Sequence, residues 1–374
     1  MKSNQDGARA KLLAAEEPHS NLQEGGGFVA TLGSGSPRAT LKDIAREAGV
    51  GTATVDRVLN ERGNVSVEAA ERVLAAARTL NLRRVLPGSY RRTLRVEILL
   101  ARPELPLIER MGFEFAKLAQ RVDRSVILQR TRLKSDNPDL MAAHIKRSQG
   151  DGIILYAQSH PVIEAAIDQV TSAGKAVITI ISDIPRSARL AYAGIDHVAA
   201  GRTAGFLIGR MVGGGHLLVL CNHFSFQSHE ARVGGLVAYL EQHAGGRFSI
   251  EVIEGRDDND LSERRLRAAL KSRPDTVAIY NAGAANRAVA GALADRNTQW
   301  PSVFIGHELT KFTRPMLQSG IMTMVIDQNP EQQARFAVDV LMHHFGNVEM
   351  ADVGPPYISR VPFTIFGPEY LPAV

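Results

Sequence analysis

The residues of this chain with the most chemical potential fall into two sets. The first is compact: Thr52, Ala53, Thr54, Asp56, Arg57 and Asn60 lie within nine positions. Hydroxyls, a carboxylate, a guanidinium and an amide at such close spacing suit the reading of hydrogen-bonding base edges. The second set is dispersed. Asp196, Arg232, Asn281, Glu308 and Gln328 each stand at or soon after the end of a short β-rich run. Carboxylates accept paired hydroxyls, arginine donates as a fork, and the amides do both, so this set suits a polyhydroxylated ligand. Phe224, close to Phe226 in the stretch after Cys221, offers a ring that can stack on a sugar face and equally suits packing.

The first set needs two short crossed helices to present it. Thr40 can cap the first, with Asp43 three residues on in the capping-box place. Gly49 falls where the chain leaves that helix, a position that often takes positive φ. Ile44, Ala48, Val50, Val55 and Val58 supply the apolar contacts, which leaves Thr52, Ala53, Asp56 and Arg57 on the outer face of the second helix. In a helix-turn-helix, that face enters the DNA major groove. Ser66 can cap a third helix, Val67 to Leu80, whose Ala70, Val73, Leu74, Ala77 and Leu80 form a stripe at helical period. From Arg72 to Val96 the chain carries seven arginines and no acid, a run suited to phosphate contact.

The segment Thr40 to Asn81 resembles the headpiece of lac-repressor (LacI/GalR) family regulators. The resemblance rests on Leu-x-Asp-Ile-Ala-x-x-Ala-Gly-Val, on Thr-Val-x-Arg-Val-Leu-Asn and on Val65-Ser66 before the third helix. It implies that Thr52, Ala53 and Arg57 read bases, and it makes Thr40, Thr54, Asp56 and Asn60 further DNA-contact candidates. Asp56 stands where the family usually has Ser; an acid there repels phosphate unless it accepts from a cytosine amino group. The linker, residues 83–93, contains Pro87-Gly88 and the contact candidates Leu86, Arg91 and Arg92. It can form either a hinge helix that wedges Leu86 into the minor groove or an Arg-rich arm.

Composition bounds the rest. With 374 residues, 44% hydrophobic and 22% charged, the chain has room for one small and one large globular domain. Residues 37–95 carry twelve Lys/Arg against six Asp/Glu, so the basic surplus sits where a DNA-reading segment needs it. The single cysteine, Cys221, excludes an intrachain disulfide framework, fits a reducing cytoplasm, and lies in an apolar run as a buried strand residue would. No apolar run is long enough to span a bilayer, and no signal sequence is expected. Residues 1–36, polar and rich in Gly and Ser, are expected to be a disordered extension.

From Leu94 onward, β-rich runs alternate with helical stretches of 10–18 residues. This predicts an α/β protein with parallel sheets and helices on both faces. About nine strands suit two doubly wound lobes, with a TIM barrel as the competing architecture. Domain boundaries are expected at 38–82 for the helix-turn-helix, 83–93 for the linker and 94–374 for the core. Gly213-Gly214-Gly215 is taken as the break between lobes of 94–212 plus 327–346 and 215–326 plus 347–374. Asp196 and Arg232 would then face each other from opposite lobes. Ligands of open α/β sheets bind beyond the carboxyl ends of the strands, where the second residue set falls. The family resemblance extends over this core, which is similar to periplasmic sugar-binding proteins. It carries Asp196, Arg232, Asn281, Glu308 (where Asp is usual) and Gln328 into the effector site.

Other constellations carry less. His343-His344 diverge on a helix, no His/Cys set has metal-ligand spacing, and no nucleophile has a base at informative spacing, so neither a metal nor a cofactor is expected. Two readings remain. One is a dimeric, cytoplasmic, ligand-responsive DNA-binding regulator, a repressor on a pseudo-palindromic double-stranded operator, answering to a sugar, sugar acid or polyol. The other is a stand-alone binding protein or enzyme with an incidental basic N-terminal domain.

Overall fold

The computed structural model describes residues 39–372, apart from 61, 81, 83–92, 124, 257, 295–300 and 348–360. The expectations for residues 1–36 and for Leu86, Arg91 and Arg92 lie outside the described residues. Helix α1 (Leu41–Ala48) opens on a complete capping box. The Asp43 amide donates to the Thr40 hydroxyl at 3.3 Å, and the Thr40 amide donates to the Asp43 carboxylate at 2.9 Å. A cap of this kind is worth about 1 kcal/mol. Gly49 ends the helix at φ 62°, and α2 (Thr52–Leu59) and α3 (Val67–Thr79) follow. Ile44, Ala48, Val55, Val58, Val73 and Leu74 close one small core, formed by the apolar positions that the sequence spacing assigns to it.

The core of the chain is two open sheets rather than a barrel. The first has the order β2-β1-β3-β4-β5, all parallel, with β1 Leu94–Ala101, β2 Val126–Leu133, β3 Gly152–Tyr156, β4 Ala176–Ile180 and β5 Ala191–Ala193. The second has the order β11-β10-β9-β8-β6-β7, with β6 Gly215–Cys221, β7 Phe248–Glu254, β8 Thr276–Asn281, β9 Val303–His307, β10 Met324–Asp327 and β11 Thr364–Phe366. Only β11 runs antiparallel to its neighbour among the described strands. Every residue of β3 and β4 is buried, as strands covered on both faces require. The helices are α4 Pro106–Arg121, α5 Pro138–Arg147, α6 Pro161–Ser172, α7 His197–Met211, α8 Gln227–Ala244, α9 Asn259–Ser272, α10 Asn286–Leu293, α11 Thr313–Gln318 and α12 Pro330–His344. None of the described helices is long and apolar enough to cross a membrane.

The lobe boundary differs from the expected one. Helix α7 buries Ala200, Ala204 and Ile208 against Leu217, Val219 and Tyr280, so it belongs to the second lobe. The chain therefore crosses at residues 194–196, and Gly213 (φ 71°) and Gly215 (φ 131°) merely turn α7 into β6 within that lobe. The glycine run resembles a hinge in sequence, but the apolar face of α7 decides where the helix docks. The chain returns after β10 into α12, whose Ala334, Ala337 and Leu341 pack in the first lobe, and β11 closes the second sheet. The short elements α5, β5, α11 and β11 have no counterpart in the sequence reading.

Both sheets change strand order beside their first strand, at β1/β3 and at β6/β8, and such switch points open crevices at the carboxyl ends. The lobes also touch directly. Tyr156 stacks on Phe226 at 5.3 Å, the Ser159 amide donates to the Ser225 carbonyl at 3.0 Å, and the Ser228 amide donates to the Ser182 hydroxyl at 3.2 Å.

Within the second lobe, α7 and α8 cross where both present glycine. A methyl group on Gly201 would stand 2.0 Å from the Arg232 carbonyl oxygen, and one on Gly235 would stand 2.4 Å from that of Val198. Gly201→Ala is therefore expected to destabilise the core by about 1–3 kcal/mol. Gly234→Ala, whose methyl would meet nothing within 4 Å, should stabilise α8 by about 0.5–1 kcal/mol. Urea unfolding of both variants checks this; effects of the same sign would contradict the crossing.

Candidate functional site

On the headpiece, Thr52, Ala53, Arg57 and Asn60 are exposed and Thr54 is half-buried. The Arg57 guanidinium has no hydrogen bond or ion pair among the described residues, so it is available to an outside acceptor. Asp56 is engaged. Its carboxylate accepts from the Asn60 amide at 2.6 Å and from Arg62 at 2.8 Å. The repulsion that Asp56 would exert on phosphate is thereby reduced by Arg62. Thr40 is likewise committed, its hydroxyl donating to Asp43 at 2.6 Å.

Between the lobes lies a cleft of about 470 Å³. Arg102, Glu104 and Glu109 line it from the first lobe, and Asn286, His307 and Glu308 from the second. Behind this wall, polar side chains are buried together. Arg232, on α8, is 3% exposed; its Nε donates to His197 Nδ1 at 3.1 Å and its Nη1 to the Ala282 carbonyl at 2.9 Å. Because His197 Nδ1 accepts, its Nε2 carries the proton and donates to the Ile181 carbonyl at 2.6 Å. The Ile181 amide donates to Gln333, Gln333 donates to the Gln328 carbonyl, and the Gln328 amide donates to Glu308. A continuous hydrogen-bonded chain thus links Arg232 to Glu308 by way of both lobe crossings.

Four buried atoms here have no hydrogen-bond partner: Arg232 Nη2, His307 Nδ1, Glu308 Oε2 and Gln328 Oε1. Buried polar groups are paired as a rule, and each exception costs about 1–3 kcal/mol. Exceptions of both donor and acceptor type give this region the chemistry to bind a polar group. Strain concentrates nearby as well. Ile181 (φ 66°), Glu308 (φ 73°) and Asn329 (φ 51°) hold left-handed backbone, which costs a residue with a Cβ about 1–3 kcal/mol.

The electrostatics follow from burial. Burial holds His197 and His307 well below the usual histidine range, and the positive charge of Arg232 reinforces this, so both imidazoles are neutral. The same two causes act on His229. Glu308 is pushed up to about 7 by burial and by the negative charge of Asp327, against the opposing pull of Arg110 and Arg232. Arg110, from α4 in the first lobe, pairs with Asp327 at 2.6 Å and lies 3.6 Å from Glu308. This ion pair ties the two lobes at the cleft.

Of the six effector candidates, the structure brings together Arg232, Glu308 and Gln328. Asn281 is adjacent, but its amide donates to Asn286 at 2.6 Å and its carbonyl accepts from the Gly283 amide, so it fixes the start of α10. Asp196 is exposed and caps α7 through the Ala199 amide at 2.8 Å. It stands on the same lobe as Arg232, because α7 docks there, which corrects the opposite-lobe expectation. Phe224 is 44% exposed on the loop after β6, while Phe226 is the ring that packs. His197, His307, Gln333, Arg110 and Asp327 were not among the sequence candidates. His307 and Asp327 stand at strand ends, a signal that could have found them; the other three take their roles only from contacts between segments far apart in sequence.

A helix-turn-helix and two open α/β lobes around a cleft define a class: a two-lobed, binding-protein-like core with a helix-turn-helix headpiece. Comparison with known proteins agrees. Residues 40–84 match the bacterial regulatory proteins of the lacI family, and residues 141–347 match a periplasmic binding protein domain. The larger part of the chain thus belongs to the periplasmic binding protein domain family, and its N-terminal helices match the lacI family of bacterial regulatory proteins. It is 30% identical over 131 residues to the ribose operon repressor of Halalkalibacterium halodurans, across 33% of this chain and 39% of that protein. It is 28% identical over 145 residues to the HTH-type transcriptional repressor PurR of Histophilus somni, across 35% and 42%. The chain thus spans about two-fifths of the length of these curated relatives. Among solved structures, the glucose-galactose binding protein GanP of Geobacillus stearothermophilus superposes at a TM-score of 0.67, with 20% identity over 75% of this chain and 99% of that one. A solute-binding protein of Burkholderia graminis in complex with D-arabinose reaches 0.66, with 18% identity over 75% and 96%. These two likenesses concern the fold.

Glu308 yields a pH prediction. Its carboxyl titrates at about 7 in the folded chain against an ordinary 4.5, so the folded state keeps the proton longer than the unfolded one. The stability that this proton confers is complete below the lower value and is lost as pH rises through the higher one. Glu308→Gln keeps the shape without the ionisation. Its stability relative to the parent should rise between about pH 5 and pH 8, by on the order of 2–3 kcal/mol. Thermal unfolding across that range decides it; a difference that does not vary with pH would show that Glu308 is ionised throughout.

Proposed function

We propose that this chain is a ligand-responsive transcriptional repressor that reads double-stranded DNA through α2 and binds a sugar-like effector between its lobes. The observation that carries the proposal is the group of four buried polar atoms without hydrogen-bond partners at and behind the wall of the cleft, in a chain whose headpiece matches the lacI family. Arg57, exposed and with a guanidinium that has no partner among the described residues, supports base recognition, with Thr52, Ala53 and Asn60 beside it. Leu86, Arg91 and Arg92 remain proposed contacts of the linker with DNA. The two repressors it resembles and the sugar-binding proteins that share its fold support the same assignment. A helix-turn-helix reads one half-site, so a symmetric homodimer on a pseudo-palindromic operator follows, acting in the cytoplasm where the DNA is.

The effector would act by differential affinity. A ligand that satisfies groups from Arg232 round to Glu308 favours one lobe arrangement and shifts operator affinity, with typical couplings of about 1–3 kcal/mol. Arg57→Ala should weaken binding to the specific operator by about 1–3 kcal/mol and relax base preference, leaving non-specific binding largely intact. Gel-shift titrations of specific and scrambled duplexes at fixed salt measure this. Unchanged discrimination would remove α2 from the DNA interface, and operator affinity insensitive to every sugar-like compound that binds the chain would remove the regulatory role.

A further inference from the structure

We infer that the effector is a polyhydroxylated monocarboxylate, a sugar acid, whose carboxylate pairs with Arg232 and whose hydroxyls donate to Glu308 and Gln328. This rests on the reading of the cleft as the effector site and narrows it from sugars in general to their acids.

The charge distribution carries the argument. Arg232 is a buried cation, 3% exposed, and its two hydrogen bonds go to neutral acceptors, an imidazole nitrogen and a backbone carbonyl. No carboxylate lies within ion-pair distance of it among the described residues. The histidines around it, His197, His229 and His307, are kept neutral by burial and by its own charge. A buried ion without a counter-ion is costly and calls for an opposite charge. Arg232 Nη2 is still without an acceptor, and a carboxylate is the group that a guanidinium fork binds best.

The other cation of the cluster is already engaged, since Arg110 pairs with Asp327 at 2.6 Å and lies 3.6 Å from Glu308. One unmatched positive charge fits one negative charge. A phosphate monoester, with close to two charges at neutral pH, would need a second cation beside Arg232, and of the cations that line the cleft Arg102 pairs with Glu104, Lys311 pairs with Glu109 and Arg287 stacks on Phe312. The opposite end of the cluster has the reverse chemistry: Gln328 Oε1 is an acceptor without a donor, and Glu308 Oε2 has only Arg110 Nη1 at 3.6 Å, beyond hydrogen-bond reach, so ligand hydroxyls can supply both bonds. The site therefore has a polarity, a cationic donor at one end and acceptors at the other. A neutral sugar can meet both ends through its hydroxyls, which accept as well as donate, but it brings no counter-charge to Arg232.

The test is isothermal titration of the full chain with matched pairs: D-glucose against D-gluconate and D-glucuronate, D-galactose against D-galactonate and D-galacturonate, and D-glucose 6-phosphate. At least one acid should bind about 10- to 100-fold more tightly than its neutral counterpart, and the phosphate ester more weakly than that acid. Arg232→Gln should abolish the preference for the acid, whereas Glu308→Gln should weaken binding and keep the preference. Should Arg232→Gln fail to fold, Arg232→Lys keeps the charge without the fork and should retain part of the preference. Neutral sugars binding as tightly as their acids, or the phosphate binding best, would overturn the sugar-acid assignment and leave the sugar-effector reading standing. Binding by no compound of the panel would overturn both.

Discussion

The buried guanidinium of Arg232 is the constraint around which the second lobe is arranged. A charge at this depth needs partners that hold it without cancelling it, and the chain supplies His197 and the Ala282 carbonyl. His197 can serve only as a neutral imidazole, and burial and Arg232 itself keep it so. The two side chains depend on each other, because the histidine accepts from the arginine and the arginine's charge prevents its protonation. The glycine crossing of α7 and α8 brings them within reach, since Cβ atoms at Gly201 and Gly235 would force the helices apart.

From this pair the hydrogen-bonded chain continues through Ile181, Gln333 and Gln328 to Glu308. It passes both places where the backbone changes lobe, and Ile181 and Asn329, beside those crossings, hold left-handed backbone. Strained backbone persists only where surrounding contacts over-determine it. A ligand that supplied partners to Arg232 and Glu308 would act directly on the contacts that hold those crossings. The Arg110–Asp327 pair, which bridges the lobes at the same cleft, adds an electrostatic tie that responds to the ionisation of Glu308.

The headpiece follows a different logic. Its small core of Ile44, Val55, Val58, Val73 and their neighbours fixes three helices so that the outer face of α2 is left to the solvent. The acid on that face is drawn back by Asn60 and Arg62, and among the described residues the Arg57 guanidinium is left unengaged. A like-charge clash with phosphate is thereby managed within the helix-turn-helix itself.

Local chemistry made much of this legible from sequence. The capping box at Thr40, the glycine at 49, the helical stripes and the alternation of β-rich and helical runs are short-range signals. They determined the headpiece, the parallel α/β class and most element positions. Arg232, Glu308 and Gln328, which the structure brings together, were legible as candidates because polar residues at or soon after strand ends lie where open sheets bind ligands. What the sequence left open depends on contacts between distant segments. Gly213–Gly215 carries the composition of a hinge, yet the lobe boundary lies at 194–196 because the apolar face of α7 finds the second sheet. Asp196 has the chemistry of a ligand contact and is instead a helix cap, and Asn281 is taken up by Asn286. His197, Gln333 and Arg110 gain their roles only from partners 16 to 217 residues away. The sequence by itself determined which groups were available, since capping, periodicity and strand-end placement act within a few residues. Only the tertiary structure decided which of them are buried without partners, because burial and pairing belong to the packed lobes together.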